Sequence, residues 1–308
     1  MSTTVQDLPG VPPAGAGGGP RPWSPRMRWT MRAVGLAAVV TTAVTVWLGL
    51  WVTPPSQVMG NLVRLVYIHP PVAWVALYLA FGALGLGSVL WLWPRTRHPL
   101  WDRLAAAAGE VGAVFTALTL ATGSIWGRPT WGVWWAWDAR LTSSALLLVL
   151  LLGYLALRRV PADPDTRARR SAIAALVALL DVPIVYFSVS WWHTLHENTQ
   201  MDITGIMLAT MLLGFVAFTL TFVWMLATAL RIETLRAELE AHELEVALAD
   251  RQAEAGSGEP ALLEALVSPD QSARGPEPRG VPGTAPGTAP VSVAVPESLG
   301  TSAVGRQA

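Results

Sequence analysis

The sequence predicts an all-α integral membrane protein, a six-transmembrane-helix bundle with both termini cytoplasmic. Three observations lead there. Of 308 residues, 52% are hydrophobic and 14% charged, whereas a globular chain carries about 25% charged residues. Six segments reach the roughly 20 apolar residues that a bilayer demands. Arginine, finally, is unevenly shared between alternate connections, and that asymmetry sets orientation.

The six segments lie at about 31–52, 71–93, 105–126, 141–158, 171–190 and 203–230. Arg21, Arg26, Arg28 and Arg32 precede the first, Arg95, Arg97 and Arg103 separate the second from the third, and Arg158, Arg159, Arg167, Arg169 and Arg170 separate the fourth from the fifth. The alternate connections, 53–70, 127–140 and 191–202, hold only Arg64, Arg128 and Arg140, so they are expected to face outward. Residues 1–28 are rich in Pro and Gly and are expected to lack structure. The apolar run behind them is too long, and too poorly flanked by small residues, for a cleaved signal peptide, so it should remain as the first helix. The membrane domain is placed at 29–232, a charged helical extension at 233–254 with the stripe Ile232, Leu235, Leu239, Val246 and Ala249, and a disordered tail at 255–308, where Gly-Thr-Ala-Pro repeats at 283–286 and 287–290.

Composition also excludes chemistry. Net charge is zero, with 21 basic residues, all Arg, against 21 acidic ones, so no global field attracts nucleic acid. Cysteine is absent, which removes disulfides, thiolate metal sites, iron–sulfur clusters and the C-x-x-C-H attachment of haem. A metal or haem here has to be held by His, carboxylates or Met. No nucleophile–base pair or phosphate-binding Gly loop is evident, which argues against an enzyme.

The outward segments carry the candidate site. The run Trp126-Gly-Arg-Pro-Thr-Trp131-Gly-Val-Trp134-Trp135-Ala-Trp137-Asp138-Ala-Arg140 places five indoles within twelve residues. Were 131–137 helical, Trp131, Trp134 and Trp135 would share a face as a platform for a planar macrocycle, with Arg128 and Arg140 available to its carboxylates. Trp also gathers at membrane interfaces whatever the function, which suffices for any single indole here but not for the cluster. Three of the five histidines, His69, His193 and His196, fall in the outward segments. Two imidazoles on one side of a bundle can close a haem iron from both axial positions. A zinc site of His193, His196 and Glu197 is the rival reading, since spacing alone does not separate them. Two acids, Glu110 and Asp181, interrupt apolar segments; placing Asp at a helix centre costs about 2.5–3.5 kcal/mol on insertion scales, which makes each a functional candidate. Asp181 has a structural alternative, capping backbone groups freed by Pro183, and Glu110 is nearer the membrane edge.

The wording Trp131-Gly-Val-Trp134-Trp135-Ala-Trp137-Asp138-Ala-Arg140-Leu-Thr142-Ser143 resembles the Trp-rich (WWD) signature of the haem-handling proteins of cytochrome c maturation, and within them the protein C (haem exporter protein C) family. Arg64-Leu-Val-Tyr67-Ile-His69 and Asp181-Val-Pro183-Ile, followed by Ser188-Val-Ser-Trp191-Trp192-His-Thr194-Leu195-His196, agree in order and placement. The resemblance covers about 29–232. It implies a multi-pass protein of the cell inner membrane that binds haem b non-covalently at its periplasmic or exterior face and presents it to a haem chaperone of the CcmE type. ABC-transporter subunits of the CcmA and CcmB types, a small CcmD-type subunit and membrane lipid are the further partners implied, with no nucleic acid. Carried over by position, His69 and His196 are the axial ligands, and Arg64, Trp126, Arg128, Trp131, Trp134, Trp135, Trp137, Asp138 and Arg140 complete the site. The chain departs from the family pattern at Pro70, where a small aliphatic residue is common, and at His193, where Asn is usual, which leaves His193 as a competitor for the iron. Larger relatives with a Trp-rich loop usually continue Asp-Pro-Lys rather than the Asp138-Ala-Arg140 found here. The alternatives are a haem permease of an ABC-type exporter using Glu110 and Asp181 and, from another class, the zinc-dependent membrane enzyme.

Overall fold

In the computed structural model, residues 23–196, 203 and 205–267 are described, with side chains of the last helix described through 254. Contacts divide the chain into residues 1–248 and 249–308. The packing below concerns the first unit. Among the described residues there are six membrane-length apolar helices, as the sequence predicts, and no strand beyond an isolated Ser56–Gly60 bridge. They are α1 (Pro25–Val52), α2 (Asn61–Leu92), α3 (Pro99–Trp131), α4 (Ala139–Arg159), α5 (Pro164–Trp191) and α6 (Gly205–Val267).

Local chemistry explains why nearly every helix outruns its apolar core. Ser24 caps α1 by accepting from the Met27 N–H at 3.3 Å, with Pro25 opening the first turn, so α1 begins inside the segment 1–28 expected to lack structure. His98 accepts from the Leu100 N–H at 3.2 Å before Pro99 and starts α3. Asp163 accepts from the Thr166 N–H at 2.9 Å before Pro164 and starts α5. α6 runs on to Val267, past the boundary expected at 254; 261–266 reads Ala-Leu-Leu-Glu-Ala-Leu, all good helix formers, although Gly256, Gly258 and Pro260 before it are not. Residues 1–22 and 268–308 lie outside the described residues.

Irregular turns mark the half of the bundle that holds His69. α2 opens as a 3₁₀ turn over Asn61–Tyr67, becomes α-helical over His69–Trp74, widens to a π turn over Val75–Ala80 and finishes as an α-helix over Phe81–Leu92. In α5, Pro183 has no N–H for the carbonyl of Leu179, and the helix breaks at Leu180 between Pro164–Leu179 and Asp181–Trp191. Asp181 is 4% exposed there and its Oδ2 has no hydrogen-bond partner, so the capping alternative receives no support from that oxygen.

Small residues set how closely the helices approach. A Cβ on Gly87 of α2 would fall 2.7 Å from the Trp101 carbonyl oxygen of α3, and one on Gly109 of α3 2.5 Å from the Tyr154 ring of α4. Phe81, Leu84, Ala105, Ala108, Leu147, Leu151, Tyr154, Ala175 and Ala178 form the main buried cluster of α2–α5. At the end away from His69, the Arg158 guanidinium holds Asp102 through two bonds of 2.6 and 3.0 Å. Arg236 bridges Glu110 at 3.3 Å and Glu233 at 2.5 Å, tying the charged extension of α6 to α3. Because the Asp102–Arg158 pair is largely shielded from solvent, with side chains 16% and 12% exposed, Arg158→Leu strands a carboxylate. Its expected cost is on the order of 3 kcal/mol, read as a lower midpoint of thermal unfolding in detergent; an unchanged midpoint contradicts that role.

Candidate functional site: a cavity between two histidines

The backbone irregularities converge on one cavity. It has a volume of ≈ 410 Å³ and is lined by His69, Trp74 and Tyr78 of α2, Thr119 and Gly123 of α3, Arg140 and Ser144 of α4, Tyr186 of α5, His196 beyond α5, and Phe215 of α6. Small-molecule sites commonly measure about 300–1,000 Å³.

His69 stands at the first residue of the α-helical part of α2, followed by Pro70 and Pro71. The sequence reading put it in a loop; the helical start of α2 at Asn61 corrects that. Its Nδ1 lies 2.9 Å from Oγ1 of Thr122, and a Cβ on Gly123 would stand 3.0 Å from its Cε1, so α3 passes beneath the ring with no side chain between them. α6 presses from the other side, since a Cβ on Gly214 would fall 2.6 Å from the Tyr67 carbonyl oxygen. Trp126 meets His69 edge-on with ring centres 5.6 Å apart.

His196 lies in the irregular segment after α5 and is held from α4. Asp138 caps α4 by accepting from the Leu141 N–H at 2.7 Å, and its second oxygen accepts from the Thr194 hydroxyl at 3.0 Å and the Leu195 N–H at 3.1 Å. The His196 N–H donates to Thr194 at 2.9 Å, and His196 Nδ1 is 3.5 Å from Asp138 Oδ2, a separation too long for a good hydrogen bond. Burial pushes the Asp138 carboxyl up, but the N–H groups of Leu141 and Leu195, the Thr194 hydroxyl and His196 together bring it below the usual carboxylate range. For His196 burial is again the largest influence; it lowers the imidazole below its ordinary value, Asp138 opposing and Arg140 reinforcing. A neutral imidazole is the form that binds metal. Trp131 sits against it, ring centres 4.7 Å apart.

The Trp-rich segment differs from its expected form. α3 continues through Trp126 and Arg128 to Trp131 and ends at Gly132, whose left-handed φ of 80° reverses the chain. Residues 132–138 are therefore not helical, and the shared face of Trp131, Trp134 and Trp135 is not formed. Ser124 pins the segment by donating to the Trp134 carbonyl at 2.6 Å. Trp126 and Trp131 reach the histidines, whereas Trp134 is 59% and Trp137 83% exposed, with Trp135 packed edge-on to Trp137 and its Nε1 buried without a partner.

The arginines also separate. Arg64 donates to the Gly49 carbonyl at 2.5 Å, to that of Leu50 and to Asn61 Oδ1, closing the end of α1. Arg128 donates to the Gly132 carbonyl. Only Arg140 lines the cavity, steadied by the carbonyls of Val185 and Tyr186 at 3.4 and 3.3 Å. His193 is exposed and does not line it. Among the described residues no three His, Cys, Asp or Glu come together as a metal site; Glu197 lies outside them. Glu110 belongs to a second, highly charged cavity of ≈ 860 Å³ beside Asp102, Arg158 and Arg236, and Asp181 lines neither. Sequence reasoning missed Trp74, Tyr78, Thr119, Thr122, Gly123, Ser144 and Tyr186. The hydroxyls and glycine at 119, 122 and 123 of an otherwise apolar helix were the available signal.

Fold and site together define a polytopic membrane protein with a ligand cavity between paired imidazoles and indoles at one end of the bundle. The chain belongs to the Heme exporter protein C family, whose model matches residues 19–245. It is 40% identical over 206 residues to Heme exporter protein C of Bradyrhizobium diazoefficiens, covering 63% of this chain and 76% of that one. It is 35% identical over 197 residues to the Haemophilus influenzae protein of the same name (62% and 78%), and 36% over 177 residues to that of Escherichia coli K12 (56% and 70%). Membership places it among haem-handling membrane components of cytochrome c biogenesis rather than among enzymes.

Because Asp138 both caps α4 and holds 194–196, Asp138→Ala is expected to cost about 1 kcal/mol of cap energy and to speed amide hydrogen exchange at Leu195 and His196 while the amides of α2 and α3 keep their protection. Unchanged exchange at those two amides would show that the segment is held by something else.

Proposed function

We propose that this protein binds haem b non-covalently at the outer face of the cell inner membrane, with His69 and His196 as axial ligands, and presents it to a separate periplasmic haem chaperone. The observation that supports this most is that one cavity is lined by both histidines, which lie far apart in sequence, and by Arg140, the only arginine that lines it among the described residues. The residues fit the cargo. Two imidazoles can take an iron, indoles at Trp126 and Trp131 and rings at Trp74, Tyr78, Tyr186 and Phe215 suit a flat apolar macrocycle, and Arg140 suits one of its carboxylates. Trp134 and Trp137, on the exposed rim, with Trp135 packed half-buried against Trp137, then serve the hand-over rather than the cavity.

Both termini are cytoplasmic in this reading, supported by the twelve arginines of the inner segments against Arg64, Arg128 and Arg140 outside. ABC-transporter subunits and a small membrane subunit are the proposed neighbours, in keeping with the relatives' name of heme exporter.

Purified with haem, the parent should show the absorbance of a six-coordinate low-spin iron. His69→Ala and His196→Ala should each lose it, with haem dissociation faster by about tenfold or more, while His193→Ala matches the parent. Loss in His193→Ala with retention in His196→Ala would move the ligand, and no effect in any of the three would end the bis-histidine model. A C-terminal reporter active only outside the cytoplasm should be silent; activity would overturn the orientation.

A further inference from the structure

The two histidines have their Nδ1 atoms turned toward different kinds of acceptor. Thr122 has one hydroxyl hydrogen, and its Oγ1 already donates to the Leu118 carbonyl at 2.8 Å, with that of Thr119 at 3.2 Å. Toward His69 Nδ1, 2.9 Å away, it offers only a lone pair, so the proton of a neutral His69 resides on Nδ1 and Nε2 is left bare. Gly123 allows this contact by letting the α3 backbone lie under the ring. For His196 the group facing Nδ1 is a carboxylate. Asp138 receives three donors from Leu141, Thr194 and Leu195, which favours its ionised, accepting form, and its Oδ2 stands 3.5 Å from Nδ1.

Building on the bis-histidine reading, we propose that Thr122 holds His69 in the Nδ1-protonated tautomer, that Asp138, the nearest acceptor to the buried and unpartnered Nδ1 of His196, draws in to do the same there when haem is bound, leaving Nε2 as the free donor in both, and that these two positioning residues make the ligands unequal. A carboxylate draws the Nδ1 proton and raises the basicity of the opposite nitrogen; a hydroxyl whose own hydrogen is already spent does so weakly. His196 is then the anchoring ligand, and His69 the one that leaves first when haem is handed on. The asymmetry suits a carrier, which has to hold its cargo firmly and still let it go.

The test uses the full chain in detergent, loaded with haem, with four variants beside the parent: Thr122→Val, Thr122→Ser, Asp138→Asn and His69→Ala. The readouts are the low-spin fraction, the rate of haem loss to excess apomyoglobin, and the reduction potential. Thr122→Val is expected to lose low-spin character and to release haem about tenfold faster or more, while Thr122→Ser, which keeps the acceptor, stays near the parent. Asp138→Asn, which keeps a capping oxygen but removes the charge, is expected to raise the potential, and Thr122→Val to shift it less. Should Thr122→Val not accumulate, Thr122→Ala removes the same acceptor. A Thr122→Val protein with parental spectrum and release rate, beside a His69→Ala protein altered in both, overturns the proposal and leaves bis-histidine binding standing. An Asp138→Asn potential equal to the parent's refutes the inequality. If His69→Ala itself changes nothing, the bis-histidine reading fails and the inference falls with it.

Discussion

The carboxylate of Asp138 joins the start of α4 to the irregular segment beyond α5. One oxygen caps α4 through the Leu141 N–H; the other takes the Thr194 hydroxyl and the Leu195 N–H, beyond the end of α5. A residue in irregular backbone after a membrane helix has no intrinsic position, and the cost of ordering each such residue is about 1–2 kcal/mol of backbone entropy. Two hydrogen bonds to a group that is itself fixed as a helix cap offset part of that cost, and His196 inherits the position. The cavity therefore depends on a polar contact at the membrane edge, where hydrogen bonds compete less with water than in solution.

His69 is positioned by other means. It sits within a helix, between an α3 whose surface drops to glycine at 123 and an α6 whose Gly214 touches the backbone at Tyr67. Close approach through small residues replaces the hydrophobic drive that lipid does not supply. The 3₁₀ and π turns on either side of His69–Trp74 are tolerated because this stretch of α2 is packed against α3 and lines a cavity instead of facing lipid throughout. One ligand candidate is thus set by helix packing and the other by a hydrogen-bonded knot around Asp138.

Much of this was legible in the sequence, and the limits have physical causes. Membrane thickness and the cost of unsatisfied backbone in lipid leave few options, so six apolar runs gave six helices. Their ends were less visible: Ser24-Pro25, His98-Pro99 and Asp163-Pro164 start three helices in polar sequence, and at its other end α3 runs past the expected 126 to Gly132, which moves Arg128 and Trp131 from a loop onto α3. His69 and His196 do line one cavity, but nothing in the order of residues distinguishes Arg140, which lines it too, from Arg64 and Arg128, which spend their donors on the carbonyls of Gly49 and Gly132. The indole run was read as one surface, and Gly132 divides it into rings beside the histidines and rings on the rim. Thr122 and Gly123 were visible in an apolar helix but did not point to the cavity, because hydroxyls and glycine in a membrane helix ordinarily serve helix packing.

The central claim is that two imidazoles, one on α2 and one beyond α5, meet one haem iron. Electron paramagnetic resonance of the ferric haem-loaded protein examines this most directly, because the signal reports the axial ligands themselves. The account predicts a single low-spin species of the bis-imidazole type. A dominant high-spin signal, or a low-spin signal requiring an oxygen or sulfur ligand, would contradict it.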